Sequence, residues 1–210
     1  MSVLTKKDIL ERVAKNEIGF TPNLDTFQLQ EHAVDLRLGF TFLIPKIWHL
    51  TPQGRESLAI TNFDKVNTEY FEVVELEQGQ YFDILPNEYV LVGTLESIKV
   101  PNDLMAVLYP RSSTNRKGLS LDLTGIIDSG YEGQLTLPIR NNTHSQIIRL
   151  FPGERLCQVV FEKLTESVNA RKSKYHKRDI IEGIKREKKT EAALILKGDI
   201  KKLKAEHAVK

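Results

Sequence analysis

Hydrophobic and polar residues alternate along most of the chain between residues 33 and 163. The alternation is clearest in AVDLRLGFTF, where every second residue is apolar: Val34, Leu36, Leu38 and Phe40. A period of two predicts a strand with one buried face. Similar segments follow at YFEVVEL, YFDIL, EYVLVGTLESIKV, DLMAVLYP, IIRLF and RLCQVVFEKL. About eight to ten short strands, with no helical pattern between them, predict a closed or sandwiched β-fold rather than a parallel α/β sheet.

Turn residues separate these strands. Gln78-Gly79 and Pro86-Asn87 mark two turns, and Pro152-Gly153 is expected to join the last two strands as a pair. Residues 45–70 contain two further prolines and a glycine, and they predict an irregular surface excursion.

Helical patterns occur only at the two ends of the chain. Residues 5–15 (TKKDILERVAK) predict a short amphipathic helix, with Thr5 as its cap and Asp8 as the acidic partner three residues later. Its apolar stripe is Ile9, Leu10 and Val13. Near the C-terminus, apolar residues recur at helical spacing on both sides of Gly198, which predicts two helices or one broken helix.

Charge separates the C-terminal tail from the rest. The formal net charge is only +2, but residues 163–210 hold fifteen Lys and Arg against seven Asp and Glu. The rest of the chain holds fifteen basic and twenty-one acidic residues. The sequence therefore predicts a β-domain over residues 1–163 and a basic helical extension over residues 164–210. Because no aromatic residues interleave with the lysines, we do not expect nucleic-acid binding.

Several classes of function are disfavoured. No apolar run approaches the ~20 residues that span a bilayer, and the N-terminus lacks a signal-type apolar core, so we expect a cytoplasmic protein without a membrane partner. The single cysteine, Cys157, excludes an intrachain disulfide and a multi-thiolate metal site, and its apolar surroundings favour a buried hydrophobe over a nucleophile. GxxxxGK[ST], GxGxxG and HExxH are all absent, and no histidine is placed to activate a serine.

Chemically useful residues concentrate between Pro110 and Asn141. Arg111-Ser112-Ser113 offers a guanidinium and two hydroxyls on a turn, and Asp128 to Gly133 offers a carboxylate and an aromatic ring in a glycine-bounded bend. A phosphate-binding turn beside a carboxylate-bearing hairpin suits phosphoanhydride hydrolysis, although each fragment alone also fits an ordinary turn. Asp35 is unfavourable inside a strand, which indicates either a buried hydrogen bond to backbone or a role in the site.

These segments resemble a known family. AVDLRLG (33–39), PRSS (110–113), GIIDSGYEGQ (125–134) and PGERLCQVVF (152–161) stand in the order of the first four dUTPase motifs, and they also resemble the related dCTP deaminases. The KDIL helix, the LPNEYVLVGTLESIKVP run and the spacing from Arg111 to Arg116 look more like the deaminase branch. The resemblance covers about residues 5–163. It implies a mainly β fold, a distorted β-barrel of jelly-roll type, assembled as a homotrimer with active sites between subunits.

The resemblance also implies roles for individual residues. Asp128 would activate a water that attacks the α-phosphorus of dUTP and releases pyrophosphate and dUMP. Tyr131 would pack against the deoxyribose, and the backbone of Gly125 to Ile127 would pair with the uracil edge. Mg²⁺ would bridge the triphosphate oxygens, and Asp35 would hold the metal's waters or only brace the site. Arg111 would be catalytic with Asp128 and, together with Ser112 and Ser113, would hold phosphate oxygens. Arg116 and Gln158 are the further residues expected to bind the substrate.

One position bears on the choice of reaction. Deaminases of this family carry a glutamate in the strand after the hairpin, where this chain has Pro138. Proline cannot move a proton, so the resemblance favours a dUTP diphosphatase. A dCTP deaminase or bifunctional enzyme with another acid in that role stays open, as does a nucleotide-binding homologue without turnover. Pro138 also removes a strand N–H, which predicts an edge or a bulge there.

The end of the chain departs from the family pattern. The glycine-rich fifth motif of dUTPases is missing, and of the deaminase tail KSKYHKRD retains Tyr175 but little else. Either Lys and Arg residues of this tail close the site, or the site closes poorly.

Overall fold

A computed structural model describes residues 2–58, 70–121, 125–169 and 192–206 of the chain. Strands dominate the described residues, and the helices are short. The strands are β1 (Ser2–Val3), β2 (Gly19–Thr21), β3 (Val34–Pro45), β4 (Trp48–Thr51), β5 (Gly54–Ser57), β6 (Phe71–Glu75), β7 (Phe82–Ile84), β8 (Tyr89–Lys99), β9 (Leu104–Pro110), β10 (Leu119–Leu121), β11 (Ile126–Ile127), β12 (Glu132–Asn141), β13 (Ile148–Leu150) and β14 (Arg155–Lys163). The helices are α1 (Lys6–Ala14), α2 (Ser112–Arg116), α3 (Ala192–Leu196) and α4 (Ile200–Glu206).

A single curled antiparallel sheet forms the body of the molecule. Seven of its strands follow the order β10-β12-β8-β3-β14-β9-β11, while β1, β2 and β6 join at β14, β8 and β3. Two small sheets, β13 with β7 and β4 with β5, complete the described strands. The predicted mainly β fold of distorted-barrel type is confirmed.

Strand β3 lies at the centre of the sheet, and both of its faces are covered over its first half. Asp35 is therefore completely buried, like the apolar Val34 and Leu36 beside it. The pairing of β3 with β8 shifts between Leu38 and Phe42. Because of this bulge, Phe40 is 38% exposed, and its predicted burial is wrong.

Two sequence predictions about connections are also corrected. Part of residues 45–70 is regular, since β4 and β5 form a hairpin and β6 begins at Phe71; residues 59–69 lie outside the described part. The strands on either side of the Pro152-Gly153 turn do not pair with each other. β13 pairs with β7, and β14 pairs with β3 and β9. The turn itself is confirmed, with Gly153 at φ +91°.

The terminal helices match their predictions where they are described. In α1, Thr5 and Asp8 form the expected capping box, and Ile9 is fully buried, although Leu10 is exposed. Helices α3 and α4 lie on either side of Gly198, which adopts a positive φ of 71°. Tyr175 and the basic segment around it lie outside the described residues. The division at residue 163 stays a prediction.

None of the helices in the described part of the chain is long and apolar enough to cross a membrane.

Candidate functional site

Asp35 is the centre of a charged cluster at one end of β9. Its carboxylate, wholly buried, accepts a hydrogen bond from Arg155 Nη1 at 3.1 Å and forms an ion pair with Arg111, whose Nε lies 3.1 Å from the same oxygen. The other carboxylate oxygen accepts the Gln158 side-chain amide at 3.0 Å. Three residues predicted for the site, Asp35, Arg111 and Gln158, are therefore brought together. The contacts favour the bracing role for Asp35, because its oxygens already hold cationic and amide donors.

Strand register explains why these groups meet. Gln158 of β14 is paired with Asp35 of β3 on one side and with Tyr109 of β9 on the other. Arg111 follows directly after the end of β9, and its Nη1 also donates to the Arg155 carbonyl at 3.1 Å. Its guanidinium is thus held from two sides, which fixes the direction of a side chain that would otherwise lose much conformational entropy on binding a ligand.

A cavity of about 530 Å³ opens beside this cluster. Four cationic side chains and two hydroxyl-bearing residues line it together with the Pro152-Gly153 turn: Arg37, Arg111, Lys117, Arg155, Ser113 and Thr114. Glu154 is the carboxylate among the lining residues. An excess of positive charge with planar guanidinium groups suits phosphate oxygens, which accept paired, charge-assisted hydrogen bonds.

Arg37 is anchored at the rim of the cavity by Asp25. Two guanidinium nitrogens of Arg37 contact one Asp25 oxygen at 3.0 and 2.7 Å, and a third donates to the Gly153 carbonyl at 2.6 Å. Burial alone would raise the pKa of Asp25, but the hydrogen bonds from Arg37 and from the Phe27 N–H lower it on balance. Asp25 therefore stays ionised and holds Arg37 in place.

The PRSS segment leads from the end of β9 into the short helix α2, where the sequence predicted a turn. Arg111 is the residue before α2, whose first two residues are Ser112 and Ser113. Ser113 lines the cavity, whereas Ser112 and Arg116 are exposed and are not among its lining residues.

The second predicted group of residues lies around the turn between β11 and β12. The predicted hairpin is wrong, because β11 pairs with β9 and β12 pairs with β8 and β10. Asp128 is exposed, and its carbonyl accepts the Tyr131 N–H at 3.1 Å across the turn. Tyr131 is only 8% exposed, and its hydroxyl donates to the Gln134 carbonyl at 2.6 Å. Packing of this ring against a deoxyribose stays a prediction.

Strand β11 is the last strand in the described order of the sheet. The Gly125 carbonyl accepts the Leu108 N–H at 3.0 Å, and Ile126 and Ile127 pair with Val107 and Ala106. Hydrogen-bonded and non-bonded pairs alternate in an antiparallel ladder, so the peptide groups of Ile126 face the outer edge. Backbone on this edge can pair with a planar ring that offers both donors and acceptors.

The two groups lie at opposite ends of β9 within one chain. Ile127 is opposite Ala106, which places Asp128 beside Met105, and the Ser129 hydroxyl donates to the neighbouring Leu104 carbonyl at 2.6 Å. Arg111 lies beyond the other end of the strand. At the rise of a β-strand the two side chains are attached about 20 Å apart. One chain therefore does not bring Asp128 to the cavity beside Arg111.

Sequence similarity identifies the family. A family model described as dCTP deaminase-like matches residues 3–164. The chain belongs to this family. The dCTP deaminase, dUMP-forming, of Methanobrevibacter smithii is 37% identical over 169 residues, which cover 79% of this chain and 82% of the relative. The protein of the same name from Dictyoglomus turgidum is 36% identical over 181 residues, covering 83% and 89%.

The fold is similar to that of a solved member. The 2′-deoxycytidine 5′-triphosphate deaminase from Agrobacterium tumefaciens aligns with a TM-score of 0.58 and 24% sequence identity. The alignment covers 76% of this chain and 48% of the Agrobacterium tumefaciens chain. The predicted family resemblance is confirmed. The names of the relatives agree with the alternative of a dCTP deaminase or bifunctional enzyme more closely than with dUTP hydrolysis alone.

Pro138 is the position at which the sequence resemblance predicts a departure from the deaminases. It is half-buried in β12 and pairs with Leu91 of β8. On the other side, the described pairing with β10 reaches Ile139. The register of β12 with β8 shifts between Gln134 and Thr136, where the extra residues belong to β8. Residues 122–124, which follow β10, lie outside the described part of the chain, so the edge or bulge predicted at Pro138 stays a prediction.

Sequence reasoning missed three residues of the candidate site: Arg37, Lys117 and Arg155. Arg37 and Arg155 lie inside the quoted motifs, so their charge was visible, but their place at one cavity follows from the pairing of Arg155 with Arg37 across β3 and β14. Lys117 follows the PRSS segment and faces the cavity because α2 turns the chain back.

Two other chemistries find little support. Burial raises the pKa of the Cys157 thiol, with the Glu96 and Asp35 carboxylates adding to the effect, so its reactive thiolate is disfavoured. Within the described residues, no three His, Cys, Asp or Glu side chains cluster in a way that could hold a metal ion. The donor set near the cavity is cationic and does not form a protein cage for Mg²⁺.

Proposed function

We propose that this member of the dCTP deaminase-like family forms dUMP by hydrolysing dUTP, with release of pyrophosphate. The cationic cavity beside Asp35 carries the proposal. It offers Arg111, Arg155 and Lys117 to a strongly anionic chain of phosphates, on a rigid base of strands. A triphosphate bound there would have its phosphate oxygens oriented by side chains that are themselves fixed.

Asp128 supplies the base in this proposal. Its carboxylate is exposed on the turn between β11 and β12. In an assembly of several copies it would activate a water molecule at the phosphate held by a neighbouring chain. A carboxylate is a weak base, so positioning contributes much of the rate. The open edge of Ile126 supports the recognition of a pyrimidine by backbone donors and acceptors.

Mg²⁺ would enter with the nucleotide rather than rest on protein ligands. Magnesium commonly binds substrate phosphates and keeps part of its water shell, so it needs few carboxylates. When bound, it would neutralise negative charge on the phosphate oxygens.

A second candidate is dCTP deamination followed by hydrolysis to dUMP, which the names of the relatives favour. In that reaction water adds to the amino-bearing ring carbon and ammonia leaves. The reaction needs a proton-transferring group at the ring, which Pro138 cannot supply. Deamination would therefore require another acid near the base.

The two candidates give different products. With Mg²⁺ present, we expect pyrophosphate and dUMP from dUTP, and neither ammonia nor dUMP from dCTP. Pyrophosphate release and ammonia release, measured in parallel on dUTP, dCTP and the common nucleotides, check this expectation. Ammonia formed from dCTP would establish the second candidate, and tight dUTP binding without pyrophosphate would indicate a homologue without turnover.

The separation along β9 supports a site shared between copies of the chain, assembled as a homotrimer. In such an assembly, Arg111 of one copy would meet Asp128 of its neighbour. Asp128→Asn and Arg111→Ala variants, each inactive alone, should then complement each other. With random mixing, about a quarter of the sites would receive both native residues.

Co-expression of the two variants with different tags measures this complementation. Mixed trimers purified through both tags each contain one native site in three, so they should recover about a third of wild-type pyrophosphate release. The matched control is the double variant mixed with wild type, which is compared at the same subunit ratio. Mixed single variants that stay as inactive as the parents would show that each site belongs to one chain.

A further inference from the structure

Glu96 is a buried carboxylate to which the proposed reaction assigns no role. It lies on β8 and is only 1% exposed. One of its oxygens accepts the Gln28 side-chain amide at 2.7 Å, and the other accepts the backbone N–H of Arg37 at 2.9 Å. Both partners are donors, so both oxygens must act as acceptors.

The hydrogen bond from the Arg37 N–H to Glu96 lies where the strand pairing of β3 is irregular. The pairing of β3 with β14 shifts between Arg155 and Cys157, and its pairing with β8 shifts between Leu38 and Phe42. Arg37 lies between these irregularities, and its N–H bonds to the side chain of Glu96. A buried backbone N–H without any partner would be costly, so this carboxylate stabilises the local course of β3.

The bond to Gln28 fixes the other end of the same segment. Gln28 Nε2 also donates to the Asp35 carbonyl at 2.9 Å, while its Oε1 accepts the Asp25 N–H at 3.1 Å. The Asp35 N–H in turn donates to the Gln28 carbonyl at 2.8 Å. Glu96 therefore holds residues 35–37 from both ends, directly at Arg37 and through Gln28 at Asp35.

This segment supports the cationic cavity. Asp35 holds Arg111 and Arg155, and Arg37 lines the rim itself. We propose that Glu96 is a positioning residue for the triphosphate site, acting through Asp35 and Arg37 without touching the substrate. The proposal rests on the proposed function, in that the cavity is taken to bind phosphates.

Only an ionised carboxylate meets the requirement at position 96. A glutamine would turn its NH₂ group toward either Arg37 N–H or Gln28 Nε2, both of which are donors. Gln28 cannot rotate to compensate, because rotation would break its bonds to Asp25 and Asp35. Protonation of Glu96 would have the same effect as the amide.

Lowering the pH tests the same requirement in the wild-type protein. Burial raises the pKa of Glu96, while the hydrogen bonds from the Arg37 N–H and Gln28 act in the opposite direction. The charged or titratable groups that act on it or near it are Arg37, Asp35 and Cys157. As the pH falls through this raised pKa, phosphate binding should weaken in the wild type and change less in Glu96→Gln.

The test uses the full chain with two probes, inorganic tripolyphosphate and dUTP. We expect Glu96→Gln to weaken tripolyphosphate binding and raise the KM for dUTP by about tenfold, while kcat changes by less than about threefold. Glu88→Gln is the matched control, because Glu88 also accepts a backbone N–H, from Leu85 at 2.8 Å, at a turn outside the cavity. Its binding and KM should equal those of the wild type.

A second variant covers the case in which Glu96→Gln does not fold. Gln28→Met keeps the charge of Glu96 but removes its link to Asp35, and it should weaken tripolyphosphate binding by about threefold. Unchanged binding in the folded variants, or a wild type that does not bind tripolyphosphate, would overturn the proposal. A wild type that binds tripolyphosphate but does not hydrolyse dUTP would refute only the proposed function, and the binding measurements would still decide the role of Glu96.

Discussion

Replacing Asp128 by asparagine is expected to lower pyrophosphate release from dUTP by about 10²–10⁴-fold while leaving nucleotide affinity unchanged. Asparagine keeps the shape of the side chain and the turn at Ser129 and Gly130, but it cannot accept a proton from water. The loss should therefore appear in kcat rather than in KM. Single-turnover hydrolysis and equilibrium binding of a non-hydrolysable dUTP analogue separate the two effects.

A matched control removes an exposed carboxylate elsewhere. Glu166 follows β14 and is exposed. Glu166→Gln therefore changes the net charge by the same amount without altering the turn that carries Asp128. Its turnover should equal that of the wild type. If Asp128→Asn hydrolysed dUTP at the wild-type rate, Asp128 could not be the base, and the proposed mechanism would lose its proton acceptor.

The strands could be predicted from the sequence because burial imposes a period of two on their side chains. The prediction was correct for β8 and β9, in which buried side chains recur at every second position. It failed at Phe40, because a bulge depends on how β3 and β8 pair and not on the residues of β3 alone. The prediction that β13 and β14 pair with each other was wrong for the same reason, because the pattern of one strand does not identify its partner.

The site was predicted in part. Motif residues such as Arg111 and Gln158 do meet at Asp35. The cavity also depends on Arg37 and Lys117, which come to it through strand register and through the turn of α2. Register is set by pairing over the whole sheet, so no local pattern contains it. The distance between Asp128 and this cluster likewise depends on the pairing of β11 with β9, which the local sequence does not specify.

Replacing Asp35 by asparagine is expected to lower the free energy of unfolding by about 3 kcal/mol. Asparagine keeps the volume but removes the negative charge that holds Arg111 and Arg155, and it offers an NH₂ group to a site filled with donors. The loss should lie at the lower end of the range for broken buried pairs, because the two arginine side chains are 23% and 30% exposed and water can solvate them. Equilibrium unfolding in urea at neutral pH measures it.

Asp83→Asn is the control for burial, because Asp83 forms two hydrogen bonds of 2.8 and 2.9 Å with Arg149 on an exposed surface. Hydrogen bonds from Arg149 lower the pKa of Asp83, so this pair too is charged at neutral pH. An exposed pair of similar geometry contributes little to stability, and salt weakens it further, so the loss in this variant should be much smaller than in Asp35→Asn. Similar losses in the two variants would mean that burial of Asp35 adds nothing, and that the cavity's arginines do not depend on it.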